Sequence, residues 1–211
     1  MNKSIGYKLN RDDGKKKAEE YYNQYVRDKW VGNLIQIDIN YEEKYEEIKE
    51  SLKNQFQNIC KEVLLQQENN EKGSIKYIYI SFLRTNVLEN NSNYRVDFYD
   101  EDWFLDKVES SGNMDMSFVF SYLYKFIDDL KEEIQKNKIK LSEVEIEKIK
   151  LDDSEKYNIL AIEYLKSLIE DIIDGDYYKK LNKSDKIYIM SGEYMDNSTL
   201  LYPINQEEEN N

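Results

Sequence analysis

Residues 74–83 read SIKYIYISFL, and residues 93–99 read NYRVDFY. Both runs are dense in β-branched and aromatic side chains, which suit a pleated, half-buried surface. In the second, Tyr94, Val96 and Phe98 alternate with Arg95, Asp97 and Tyr99. A period of two sets one group on each face of a strand. Residues 88–92 (LENNS) supply turn chemistry between the runs, and residues 68–73 (ENNEKG) break whatever precedes them. The two runs are therefore expected to pair as an antiparallel hairpin.

The flanking segments change period. Residues 117–136 put Val119, Leu123, Phe126, Ile127, Leu130 and Ile134 on one helical face. Residues 41–67 do the same with Tyr41, Tyr45, Ile48, Leu52, Phe56, Ile59 and Val63, behind a capping-box pattern of Asn40 and Glu43. Ser142 and Glu145 form a second such pattern, predicting a short helix over 142–150. A further helix is predicted over 154–174, with Ala161, Leu165, Leu168, Ile169 and Ile172 inward and Gly175 as its C′ residue. Residues 186–190 (KIYIM) and 199–202 (TLLY) flank a polar turn and predict a second hairpin. Near the N-terminus, residues 13–30 carry Ala18, Tyr21, Tyr22, Tyr25 and Val26 at helical spacing behind Asp12 and Asp13. Residues 31–39 (VGNLIQIDI) read as a short strand or an extended connector. The expected fold is α+β: an antiparallel sheet of two hairpins covered by helices, with an N-terminal helical extension. Residues 1–68 form that extension, residues 69–205 the α+β core, and 206–211 (QEEENN) a disordered tail.

Composition narrows the function. The 211 residues hold 43 acids against 30 bases, a formal net charge of -13. Phosphate backbones are bound by clustered Lys and Arg, so direct binding of nucleic acid is not expected. There is no histidine, which removes the commonest general base and the commonest neutral metal ligand. Cys60 is the only cysteine, so intramolecular disulfides and Cys-ligated zinc are excluded, and without a histidine to activate it a nucleophilic role is not expected. Residues 1–17 are polar and basic with no apolar segment behind them, and no window approaches a membrane span. A reducing cytoplasm is the expected compartment, with no membrane partner and no cofactor.

One segment concentrates the remaining chemistry. Between residues 89 and 115 stand eight acids, among them Asp97, Asp100, Glu101, Asp102 and Asp106, interleaved with Tyr94, Phe98, Tyr99, Trp103 and Phe104. On one reading the carboxylates steer a basic partner in and the aromatics anchor it, with Tyr99, Asp100, Glu101, Asp102, Trp103 and Asp106 as the binding residues. On the other it is a solvated loop whose Trp103 and Phe104 tuck into the core. A calcium loop starting at Asp100 would need glycine sixth and glutamate twelfth, where Leu105 and Ser111 stand. Arg84, one of four arginines, is expected to bridge internally to Asp97 or Asp100.

The block 81–133 reads as a strand ending SFLRT, then YRVDFYDEDWFLD, then the aromatic helix MSFVFSYLYKFIDDLKEE. It resembles uncharacterised proteins of low-GC Gram-positive bacteria, some of which look like immunity proteins of polymorphic toxin systems. The resemblance covers about a quarter of the chain and rests on no defined catalytic motif. It implies a small, acidic, cytoplasmic α+β protein that covers a toxin's active site, with residues 100–106 as a hallmark segment. The expected function is a non-enzymatic acidic binding protein, an inhibitor or immunity factor that neutralises a basic toxin or nuclease. The alternatives are a metal-dependent enzyme using the carboxylates of Asp97, Asp100, Asp102 and Asp106, and a structural subunit of a larger assembly.

Overall fold

The SIKYIYISF run forms the central strand β1 (Ile75–Phe82) of a five-stranded sheet. The structure, a computed structural model, describes residues 29–139, 141–194 and 196–203. Among these residues two helices precede β1: α1 (Lys29–Glu43) and α2 (Tyr45–Glu68). After it come a short helix α3 (Arg84–Leu88), β2 (Asn93–Tyr99), a single 3₁₀ turn (Trp103–Leu105) and β3 (Ser111–Asp115). The chain continues through α4 (Ser117–Lys136), α5 (Glu143–Ile173), α6 (Asp176–Lys180), β4 (Lys183–Glu193) and β5 (Ser198–Tyr202).

The fold is α+β, as expected, but its sheet is mixed. The order is β3-β2-β1-β4-β5. β1 and β2 pair antiparallel with Tyr79 opposite Asp97, and β4 and β5 pair antiparallel, so both expected hairpin pairings form. The two join through a parallel contact of β1 with β4, Ile78 beside Ile189, so the sheet is not built of two antiparallel hairpins alone. β3 adds an edge on β2, Val96 opposite Gly112. Its sequence, SGNMD, has one apolar residue and no alternation, so nothing local marks it as a strand.

Helices cover one face. Phe56 of α2 lies 5.8 Å from Phe98, and Phe120 of α4 lies 5.8 Å from both Phe82 and Tyr94. Ile78, Ile80, Tyr94, Val96, Leu123, Phe126, Leu165 and Leu168 are buried in the same cluster as Ile37, Leu52 and Phe56. At about 25 cal/mol per Å² of buried apolar area, this cluster is the main source of stability. The stripes of α2, α4 and α5 face inward as their spacing predicts.

Four local readings are corrected. Residues 31–39 are helix, not strand: Ile37 is buried with Tyr41, and the alternation of Ile35, Ile37 and Ile39 is too short to specify a period. Asn40 is no cap but lies inside α1; the break comes at Lys44, with no side-chain cap. Residues 142–174 make one helix rather than two. Ser142 and Glu145 form the predicted capping box, but the LDDS step passes through the helix. There Asp153 is buried and paired with Lys156, and the Ser154 hydroxyl donates to Leu151 O at 2.7 Å. Gly175 has φ -138, not the left-handed conformation of a C′ glycine. It matters for another reason: a Cβ there would stand 2.1 Å from the Gln57 side chain, which would have to shift to admit it. The predicted helix over 13–30 and the tail 206–211 fall outside the described residues, apart from 29 and 30.

Candidate functional site

The face of the sheet away from the helices carries Tyr77 and Tyr79 on β1, Asp97 and Tyr99 on β2, and Tyr188 on β4. Tyr79 and Asp97 are nonetheless buried. What covers them is the acidic segment 99–109 itself, folded back from the end of β2. Trp103 meets Tyr77 edge-on at 4.1 Å between centroids, Tyr99 at 5.9 Å and Tyr79 at 6.2 Å. Phe104 lies 5.0 Å from Trp103 and 5.3 Å from Tyr99. Trp103 and Phe104, two of the aromatics interleaved among the acids, are thus the underside of a loop and tuck in on the face opposite the helical core.

A buried ion pair closes the loop. Lys72, in the ENNEKG breaker, donates to Asp106 and, at 2.8 Å, to Val108 O. Asp106 also accepts from the N–H of Asp100 at 2.9 Å and of Val108 at 3.0 Å. Burial alone would raise the Asp106 carboxyl; the Lys72 ammonium and the two N–H groups outweigh it and hold it below the ordinary aspartate range. Asp100 accepts from the N–H of Asp102 at 2.8 Å, making the first bend an Asx turn. Trp103 has φ +58, a left-handed conformation that costs a bulky residue about 1–3 kcal/mol and persists only because the surroundings impose it.

Of the six residues expected to bind a partner, the structure places Glu101 and Asp102 outward and exposed, Asp100, Tyr99 and Trp103 partly buried, and the Asp106 carboxylate inside. Asp106 is therefore a support of the loop and not a contact on it. Leu105, which the sequence marked only as the residue breaking a calcium-loop pattern, is 82% exposed. The sequence reading also missed Lys72, since a lone lysine in a polar breaker gives no signal of burial. Beside the loop, Tyr77 and Tyr188 stack at 5.6 Å, with Lys76 and Lys186 over their rings, so the acidic surface ends there.

The carboxylates proposed for a metal do not converge. The Asp97 carboxylate accepts from Arg95 at 2.9 Å, and Arg95 also reaches Glu109 at 2.8 Å. Among the described residues no three acids or cysteines stand together as metal ligands. Arg84 pairs with Glu193 and Glu155 rather than Asp97 or Asp100. The parallel pairing sets Phe82 beside Glu193, which delivers that carboxylate to the arginine two residues on. Cys60 is fully buried, and burial pushes its thiol far above the ordinary range. No helix among the described residues is long and apolar enough to cross a membrane.

A groove of about 570 Å³ lies elsewhere, between the α1–α2 break and α4. Its lining includes two lysines, Lys44 and Lys125, and two acids, Glu47 and Asp115, so no charge of one sign gathers there. Compared with family models, with curated proteins and with solved structures, the chain matches none.

Proposed function

We propose that this protein is a non-enzymatic inhibitor or immunity factor that docks a basic protein, a toxin or nuclease, on the loop 99–109. The observation that carries the reading is the build of that loop. Its underside is fastened by the Lys72–Asp106 pair and by Trp103 and Phe104, while Glu101, Asp102 and Leu105 project from it. A preorganised loop pays little ordering entropy on binding. Exposed carboxylates on a chain of net charge -13 speed encounter with a cation, and the exposed Leu105 of the same loop gives the complex an apolar contact. Carboxylates presented in this way suit a site built for phosphates. The loop lies within the block that resembles immunity proteins, and the compartment of such an encounter is the cytoplasm.

The products of the genes flanking its own are the probes. One of them, if it is the target, forms a one-to-one complex with this protein and loses its toxicity on co-expression. The paired change Glu101→Gln and Asp102→Asn slows association severalfold and flattens its dependence on salt, and Leu105→Asp speeds dissociation. All three side chains are solvent-facing, so these variants keep the fold. A complex whose rates ignore all three changes, or no complex with either product, overturns the reading.

A further inference from the structure

We propose that the outward face of α1 is a homodimer interface, on which two copies pair their α1 helices antiparallel about Ile35. The inference does not rest on the function of the acidic loop. Three of the nine exposed large hydrophobic residues described in this chain are Val31, Ile35 and Ile39, at 42%, 54% and 46% exposure. Steps of four put them on successive turns of one helix face, a strip about 12 Å long at 1.5 Å per residue. The opposite face of α1 is already used: Ile37 and Tyr41 are buried, and the Asn33 amide donates to Tyr157 OH at 2.8 Å. α1 therefore has two apolar faces, and the fold consumes one.

Charge selects a second copy as the occupant. In a chain that is 35% charged, no charged residue stands between Lys29 and Asp38. Gly32 and Gln36, both exposed, border the strip, and nothing lies within 4 Å of where a Gly32 Cβ would be, so another backbone can come close. Copies of net charge -13 repel one another, and that repulsion is least at a strip bordered by a single acid, Asp38, which accepts from Tyr164 OH at 3.3 Å. The ends of the strip carry opposite signs. Lys29 is exposed at one end, Glu42 and Glu43 at the other, and among the described residues none of the three has an ion-pair partner. With Ile35 on the two-fold axis, Val31 meets Ile39 of the second copy, and Lys29 approaches its Glu42 and Glu43. A parallel pair would instead set these glutamates against their own copies. Self-complementarity of this kind is what an isologous contact requires.

One helix pair is smaller than the interface of an obligate dimer, so the association is expected to be reversible, with sedimentation of the full chain showing dimer between about 5 and about 200 µM. Ile35→Glu places two carboxylates on the axis and weakens the dimer at least about 10-fold, with no change in melting temperature because Ile35 is half exposed. Cys60, buried and unreactive, leaves an introduced thiol without background. Under mild oxidation Ile35→Cys should crosslink to itself, and Val31→Cys should crosslink to Ile39→Cys in a mixture but not to itself. A wild-type chain that stays monomeric, a dimer that survives Ile35→Glu, or a Val31→Cys self-crosslink overturns the proposal. So does an Ile35→Glu variant that melts earlier without changing mass, because the strip would then be covered from within its own chain.

Discussion

Lys72 and Asp106, 34 residues apart, meet in an ion pair whose side chains are 1% and 3% exposed. The pair joins the loop entering β1 to the acidic loop leaving β2, and so decides where Trp103 and Glu101 stand.

Breaking this pair from one side strands a charge. Lys72→Met should cost about 3–5 kcal/mol, because the Asp106 carboxylate stays buried without its cation. Adding Asp106→Asn should recover part of the loss, since an amide oxygen still accepts from the Val108 N–H and no charge is buried. Asp106 has a depressed folded pKa, so its contribution is fully present above the unfolded value of about 3.9 and is lost as pH falls through the lower folded value. Urea unfolding of wild type across the acid range should show that decline. A Lys72→Met chain as stable as wild type would show that the loop does not depend on the pair.

Trp103 sits at φ +58, so its replacements should not rank by size. Trp103→Ala and Trp103→Gly lose the same ring contacts, worth about 0.5–1.5 kcal/mol for each aromatic pair. Glycine adopts the left-handed backbone freely, so Trp103→Gly should be the more stable of the two by about 1 kcal/mol in thermal unfolding. The opposite order would mean that the turn rearranges once the indole is gone.

Gln57 fills the space over Gly175. Its amide donates to Ile172 O at 3.1 Å and accepts from the N–H of Tyr177 and of Tyr178, also at 3.1 Å. Gly175→Ala drives a Cβ into that side chain and should cost about 2–3 kcal/mol through overpacking and lost hydrogen bonds. Gly73→Ala, with nothing within 4 Å, should stay within about 0.5 kcal/mol of wild type. Equal effects on the two melting temperatures would contradict this packing.

Eight described tyrosines have raised pKa values, burial being the leading cause in each: Tyr41, Tyr79, Tyr94, Tyr99, Tyr124, Tyr157, Tyr164 and Tyr178. Tyr124 and Tyr157 are each pushed up to about 12. A raised folded pKa contributes stability below the unfolded value of about 10, which is lost as pH climbs through the folded values. Tyrosinate absorbance should therefore rise together with the loss of circular dichroism above that pH. Independent, gradual ionisation with the fold intact would show that these hydroxyls reach solvent.

Much of the architecture was legible because it is local. The stripes of α2, α4 and α5 were read as period-3.6 patterns, β1 and β2 as apolar and aromatic runs, and the Ser142–Glu145 box as a helix start; each depends on residues a few positions apart. The failures follow from the same fact. LDDS resembles a helix boundary until Asp153 and Ser154 find partners inside the helix, and VGNLIQIDI alternates for too few residues to show its period. The acidic loop was located correctly in the sequence, but which of its residues face outward was not. Asp106 and Asp102 are the same residue type four positions apart, and only the presence of Lys72 beneath one separates them.

By itself, then, the sequence determined that the SIKYIYISFL and NYRVDFY runs extend, that the striped segments of α2, α4 and α5 coil, which of their faces are apolar, the excess of acid, and the absence of histidine and of any second thiol. These are properties of spacing and composition. The tertiary structure decided that β4 runs parallel to β1, that Arg84 meets Glu193 rather than Asp97, that Lys72 anchors the acidic loop from below, and that Val31, Ile35 and Ile39 face outward. Each joins or separates residues tens of positions apart, and such a pairing is set by how helices and strands share one core, which no local pattern encodes.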